Sequence, residues 1–205
     1  MARPQKLKSD EVLDRASDLF WRLGCDGVST RDLETALDLR APAIYRRFSS
    51  KNELLARCID HYVERIVATR IERVLENSAD PILALHQFFV AMLEPHGDEP
   101  SLRGCLLTNT AAHRETQADE VRDALERGLA LIEFAFESQI HRAVETGQLS
   151  RDTDAAALAK ALFMSLQGLL TLVRAGTPDL KTGIDATFSM LTARWMSGPQ
   201  ASKEK

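Results

Sequence analysis

Residues 28–55 read VSTRDLETALDLRAPAIYRRFSSKNELL, two short helical patterns joined by a tight connection and followed at once by a third helix start. Ser29 or Thr30 suits the N-cap of the first helix, where a hydroxyl accepts from an otherwise unpaired backbone N–H. Glu34 lies four residues after Thr30, one too far for a capping box from that position, but Asp32 and Glu34 still place negative charge near the positive end of the helix dipole. Leu33, Ala36 and Leu37 recur at the spacing that buries one helical face. Asp38-Leu39-Arg40 then breaks the rhythm, and aspartate is among the few residues besides glycine that tolerate a left-handed turn. Pro42 suits the first turn of the next helix, which ends near Phe48, and Ser49-Ser50 cap the helix that opens at Lys51.

The middle helix of this trio is only about seven residues long, too short to persist alone in water. Ile44 and Phe48 are its expected inward anchors. Outward it carries Arg40, Ala41, Pro42, Ala43, Tyr45, Arg46 and Arg47, with Lys51 following. Small residues let its backbone approach a surface closely, while arginines, a tyrosine hydroxyl and a lysine seek phosphates around that surface. A solvated basic face would account for the charge alone, but not for so short and tightly punctuated a helix. The pattern is a helix-turn-helix suited to the major groove of double-stranded DNA.

At motif level, residues 10–58 resemble the tetracycline-repressor-like (TetR) family of bacterial transcription regulators. The likeness rests on Leu19-Phe20, Gly24, Val28-Ser29-Thr30, Leu33, Ala36, Leu39, Ile44-Tyr45, Phe48, Ser50-Lys51 and Leu54. Ala2-Arg3-Pro4 and Phe20-Trp21 resemble one subgroup of that family. Three positions depart from the pattern: Asp38 stands at the usual turn glycine, Arg40 at a small polar residue, and Glu34 at a small residue. The resemblance implies that Tyr45 and Lys51 hold phosphates while Arg31, Ala41, Pro42 and Ala43 approach base edges. Arg3, Thr30, Arg40, Arg46 and Arg47 complete the expected DNA-binding set.

The chain has 205 residues, 44% of them hydrophobic, and a net charge of −4. Evenly spread, that charge would disfavour nucleic acid. Residues 1–51, however, hold ten Lys/Arg against eight Asp/Glu, and residues 52–205 hold sixteen against twenty-two. The N-terminal end is therefore the face expected to meet DNA. No stretch approaches about 20 consecutive apolar residues, and residues 1–8 do not resemble a secretion signal, so a cytoplasmic protein without membrane contact is expected. Cys25, Cys58 and Cys105 form no CxxC pair and the five histidines are scattered in sequence, so neither a disulfide framework, a metal site nor a cofactor is expected.

Helical patterns fill the remainder, and the expected fold is all-α with about nine helices. Ser9–Leu23 carries Val12, Ala16, Leu19, Phe20 and Leu23 on one face and ends at Gly24. Residues 51–76 form a long helix with Leu54, Leu55, Cys58, Ile59, Tyr62, Val63, Ile66 and Val67 as its stripe. Further helices are expected over 81–93, 101–113, 117–146, to 175 from a cap at Asp152 or Thr153, and from Pro178-Asp179 to 196. The predicted division is a DNA-binding domain over 1–50, an effector-binding and dimerisation domain over 51–198, and a tail over 199–205.

A palindromic operator needs a two-fold protein, because one short helix reads too few bases. The last two helices, apolar on more than one side, are the expected homodimer surface, with Leu162, Leu166, Leu170, Phe188, Leu191 and Trp195 as its anchors. The family resemblance places a small-molecule pocket among the middle helices. Its candidate lining is Phe88, Phe89, Met92, Cys105, Leu106, Asn109, Thr110, His113, Phe134, Met164 and Gln167. Arg103-Gly104-Cys105-Leu106-Leu107 also resembles a Gly-Cys-Leu segment of a subgroup in which some members sense electrophiles or oxidants through a cysteine. A thiol at a helix start near an arginine favours the thiolate, whereas most free cysteines are inert core residues.

The leading function is thus a ligand-responsive regulator, a repressor released from its operator by an effector. A thiol-sensing regulator acting through Cys105 and a helical adaptor without sequence-specific DNA binding are the alternatives. An enzyme is disfavoured, since no nucleophile, base and orienting group recur at a recognisable spacing.

Overall fold

The computed structural model describes residues 9–94, 103–113 and 118–193, with side chains to residue 190. Its nine α-helices among those residues are α1 (Ser9–Leu23), α2 (Thr30–Leu37), α3 (Ala41–Arg47), α4 (Lys51–Tyr62), α5 (Pro81–Val90), α6 (Leu106–Ala111), α7 (Asp119–Glu145), α8 (Ala155–Arg174) and α9 (Leu180–Ala193). The all-α architecture predicted from the sequence is the one observed. Packing divides the chain into two compact units, one of residues 1–68 with 105–129 and the other of residues 69–104 with 130–205. The contacts part after residue 68, since α4 packs on α1 and α6 on both α1 and α4.

In the first unit α1 buries Val12, Ala16, Leu19, Phe20 and Trp21. It lies against α4, where Ser17 Oγ donates to the Cys58 carbonyl at 3.3 Å and Trp21 meets Tyr62 edge-on at 5.1 Å. Leu23, expected on this buried face, is exposed, because α1 ends there. Gly24 adopts φ +78 and its N–H closes the helix on the Phe20 carbonyl at 2.9 Å. The chain then folds back so closely that a Cβ on Gly27 would collide with the Leu23 carbonyl oxygen. That oxygen belongs to rigid backbone, so Gly27→Ala is expected to lower stability by at least about 2 kcal/mol, read by denaturant unfolding.

The long helix expected over 51–76 is present with a change of winding. α4 gives way at Val63 to π-turns over Val63–Ala68 and again over Ile71–Glu76, and the Asn77 N–H reaches back five residues to the Glu72 carbonyl at 3.1 Å. The buried positions explain the first change: Cys58, Tyr62, Val67, Ile71 and Leu75 step by four except between 62 and 67, where the step is five. A π-turn absorbs the extra residue. Val63 and Ile66, expected in the stripe, are half-buried as a result.

In the second unit Phe88, Phe89, Phe136 and Phe188 form the aromatic centre, with ring centroids 5.4 to 6.0 Å apart. The Arg142 guanidinium on α7 donates to the carbonyls of Leu75 (3.3 Å) and Ser78 (2.8 Å), covering groups left open where the preceding helix ends. Asp154, rather than the expected Asp152 or Thr153, caps α8 by accepting from the Ala157 N–H at 3.0 Å. α8 is long and apolar enough, by length and composition, to cross a bilayer, which no segment was expected to be. It is a packed helix, burying Leu158, Leu162, Leu166, Leu169, Leu170 and Val173.

Candidate nucleic-acid interface

The reading surface begins with a complete capping box. Ser29 Oγ accepts from the Asp32 N–H at 3.2 Å, and the Ser29 N–H donates to Asp32 Oδ2 at 2.9 Å. Ser29 is therefore the cap and Asp32 its partner, a pairing hidden when the box is counted from Thr30. The Ser29 hydroxyl, donating to Asp32 Oδ2 at 2.6 Å, and then the Ser29 N–H hold the Asp32 carboxyl below the usual carboxylate range. α4 starts in a related way: Ser50 Oγ accepts from the Glu53 N–H at 3.0 Å, and Glu53 Oε2 accepts from the Ser49 N–H at 2.7 Å.

Between α2 and α3 the turn is made by Asp38 at φ +50. The αL conformation explains why glycine is the usual residue here and why aspartate can replace it. Arg40, at the N-cap of α3, offers no side-chain acceptor. Glu34 supplies it from the preceding helix, its Oε1 accepting the Ala41 N–H at 2.7 Å. The departure from the family pattern at Glu34 is thus a cap for the reading helix, placed by the αL turn. Sequence spacing conceals it, because the contact spans seven residues across a turn.

α3 buries Ile44 and, just past its end, Phe48, as the sequence predicts. The Tyr45 hydroxyl lies 3.1 Å from Thr30 Oγ1, joining the starts of α2 and α3 on one face. Ala41 and Ala43 are half-buried, while Thr30, Arg31, Arg40, Pro42, Arg46 and Arg47 are exposed. Arg31, Glu34, Thr35, Asp38, Leu39 and Arg40 line a polar depression of ≈ 330 Å³ at the α2–α3 junction. Lys51 is less free than expected, since its half-buried Nζ donates to the Val28 carbonyl at 2.5 Å. Arg3 lies outside the described residues.

The expected effector residues separate. Phe88, Phe89 and Met92 are buried in the second unit, whereas Cys105, Leu106 and Thr110 are buried in the first with Asn109 half-buried nearby. The Tyr62 hydroxyl lies 3.6 Å from Cys105 Sγ. Phe134 and Met164, 70% and 66% exposed, stand on the surface and do not line an interior pocket. Helix periodicity is the reason: Phe136 and Ile132 take the inward face of α7, and Leu162 and Leu166 that of α8. Gln167 is half-buried. His113 pairs with Asp26 at 3.0 Å on the surface of the first unit.

Two open clefts mark the second unit. One of ≈ 420 Å³ includes Asp80, Leu83, His86, Gln148 and Phe188. The other, of ≈ 250 Å³, lies between α8 and α9 with Phe89, Ser165, Gly168 and Ile184 among its walls. At the first, Gln148 Oε1 is buried without a hydrogen-bond partner among the described residues. His86 Nε2 meets Asp185 Oδ1 at 2.6 Å there, a bond that, with help from Lys181, holds the Asp185 carboxyl below its usual range.

Of the expected dimer anchors, Leu162, Leu166, Leu170 and Phe188 are buried inside the chain's own second unit. The side chain of Leu191 and the whole of Trp195 lie outside the described residues. The most exposed apolar side chains of α8 and α9 are instead Met164 and Met190, while Leu172 lines the cleft between the two helices.

Residues 12–58 match the family model described as bacterial regulatory proteins, tetR family, and residues 79–181 match the tetracyclin repressor-like C-terminal domain. The HTH-type transcriptional repressor ComR of Escherichia coli is 25% identical over 174 residues, covering 85% of this chain and 83% of the relative. The regulator YezE of Bacillus subtilis is 28% identical over 194 residues, covering 93% of this chain and all of the relative. A cysteine mutant of the TetR-family regulator CifR, solved with a 26-bp double-strand operator DNA, superposes with a TM-score of 0.77 at 27% identity, covering 95% of this chain and 100% of that one.

Proposed function

Because this chain belongs to the TetR family of bacterial transcription regulators, we propose that it represses genes by binding a palindromic operator as a homodimer and leaves it when a small molecule binds its second unit. The observation that carries the DNA reading is the Glu34-capped α3, whose Ala41-Pro42-Ala43 start is flanked by exposed arginines. Arg31 and residues 41–43 approach base edges in the major groove, while Tyr45 and Lys51 hold phosphates. Such a regulator acts where the chromosome is, in the cytoplasm. A gel-shift titration with DNA flanking its own gene tests this: a sequence-specific, competitor-resistant complex is expected, and binding no tighter than to unrelated DNA would overturn it.

The dimer forms through the outer faces of α8 and α9, where Met164 and Met190 are exposed. Burying them against a second copy removes apolar surface from water. The effector enters the second unit beside the aromatic centre, where His86 and the unpartnered Gln148 Oε1 provide polar contacts for it. A reversible ligand fits better than thiol chemistry, since Cys105 is buried beneath the Tyr62 hydroxyl.

An ammonium has three donors, so Lys51 can keep its bond to Val28 and still meet a phosphate. Lys51→Ala is expected to weaken binding to all sequences alike and to flatten the slope of log affinity against log salt by about 1 per subunit. Affinity measured across a salt series checks this, and an unchanged slope would remove Lys51 from the phosphate contacts.

A further inference from the structure

The fold gathers three metal-ligating side chains that the sequence holds far apart. Cys25 Sγ, an Asp26 carboxylate oxygen and a His113 ring nitrogen all lie within 4.8 Å of one another, with His113 Nδ1 3.0 Å from Asp26 Oδ2. The geometry points to Cys25, Asp26 and His113 as a binding site for a thiophilic divalent cation, zinc being the best match.

Each ligand is positioned by backbone within the first unit. Gly24 ends α1 in the left-handed region and Gly27 packs its backbone on Leu23, so residues 24–27 form a turn that presents Cys25 and Asp26 side by side. His113 follows α6, where its N–H bonds the Thr110 carbonyl at 3.1 Å. A tetrahedral zinc ion with bonds of about 2.0–2.3 Å holds its ligand atoms roughly 3.5 Å apart. Side-chain movements of about an ångström bring the three donors to that spacing.

The donor set selects the ion. Thiolate, imidazole and carboxylate together suit zinc, whereas magnesium and calcium take oxygen ligands. Burial, and then the Asp26 charge, raise the pKa of the Cys25 thiol. A bound cation favours its deprotonated form, and binding releases the thiol proton to solvent. Asp26 and His113 are both more than a third exposed, giving the ion a path in. Three protein ligands leave a fourth position for water.

A cation here would fasten the end of α6 to the α1–α2 turn, four residues before the Ser29 cap of the reading motif. Any effect on operator affinity rests on the DNA reading above; metal binding does not. Cobalt(II), titrated into the reduced full-length protein without DNA, is expected to give a thiolate-to-cobalt charge-transfer band at one ion per chain, displaced by zinc. The band should persist in Cys105→Ser and vanish in Cys25→Ala. His113→Gln, at an exposed position that leaves folding intact, should bind cobalt at least about tenfold more weakly and lose the rise in melting temperature that zinc gives the parent protein. Absence of the band in the parent protein, an undiminished band in Cys25→Ala, or equal cobalt affinity in His113→Gln would overturn the site. A band with operator affinity unchanged by zinc supports the site and discards only its coupling to DNA.

Discussion

Glu34→Ala is expected to lower specific operator affinity about 100-fold while leaving non-specific affinity unchanged or slightly higher. The carboxylate supplies the acceptor at the start of α3, and loss of a helix N-cap costs about 1–2 kcal/mol. The proposed dimer would use two reading helices, so the cost enters twice and reaches about 3 kcal/mol, or roughly two orders of magnitude in the dissociation constant. The opposing effect, removal of one negative charge per subunit from the DNA side, strengthens all complexes alike and is smaller at physiological salt. Gel-shift titrations with operator and scrambled duplexes separate the two. A parallel loss on both duplexes would mean that Glu34 serves the fold generally and not the reading helix.

Leu166→Asp is expected to abolish folding, whereas Met190→Asp should yield a folded monomer. The two side chains sit on neighbouring helices with opposite fates, one buried in the chain's own core and one 78% exposed. An unpaired carboxylate in place of Leu166 costs several kcal/mol, comparable to the whole stability of a domain. On Met190 it costs the single chain almost nothing and reaches its full penalty only when a second copy covers it. Sedimentation and circular dichroism together read both outcomes. A Met190→Asp dimer as stable as the parent would move the interface to another face.

The reader was legible because its signals are local. Ile44, Phe48 and Ser50 act within one or two turns of the chain and their roles follow from spacing, which narrows the α2 cap to Ser29 or Thr30. What escaped was every contact that closes across a turn or between distant helices: Glu34 on the Ala41 N–H, Lys51 on the Val28 carbonyl, His113 beside Cys25 and Asp26. In α8 the apolar residues identify a buried helix but not which face meets its own chain and which is left outward. Leu162 and Met164 are both apolar, yet one is buried and the other 66% exposed. The π-turns had a readable signal in the five-residue step from Tyr62 to Val67, but that step became apparent only once Val63 and Ile66 were known to be half-buried.

The same π-turns determine what kind of mechanical element residues 63–76 form. A π-turn holds one residue more than the α-turn it replaces, so a return to α winding moves the downstream chain by a whole residue, a rotation of about 100° about the helix axis. Intermediate settings would leave backbone N–H and carbonyl groups between partners, and each broken helical bond costs about 0.5–1.5 kcal/mol. The segment therefore behaves as a detent with countable positions, unlike a spring that yields in proportion to load. A perturbation too weak to shift the register leaves it where it was, and one strong enough shifts it completely.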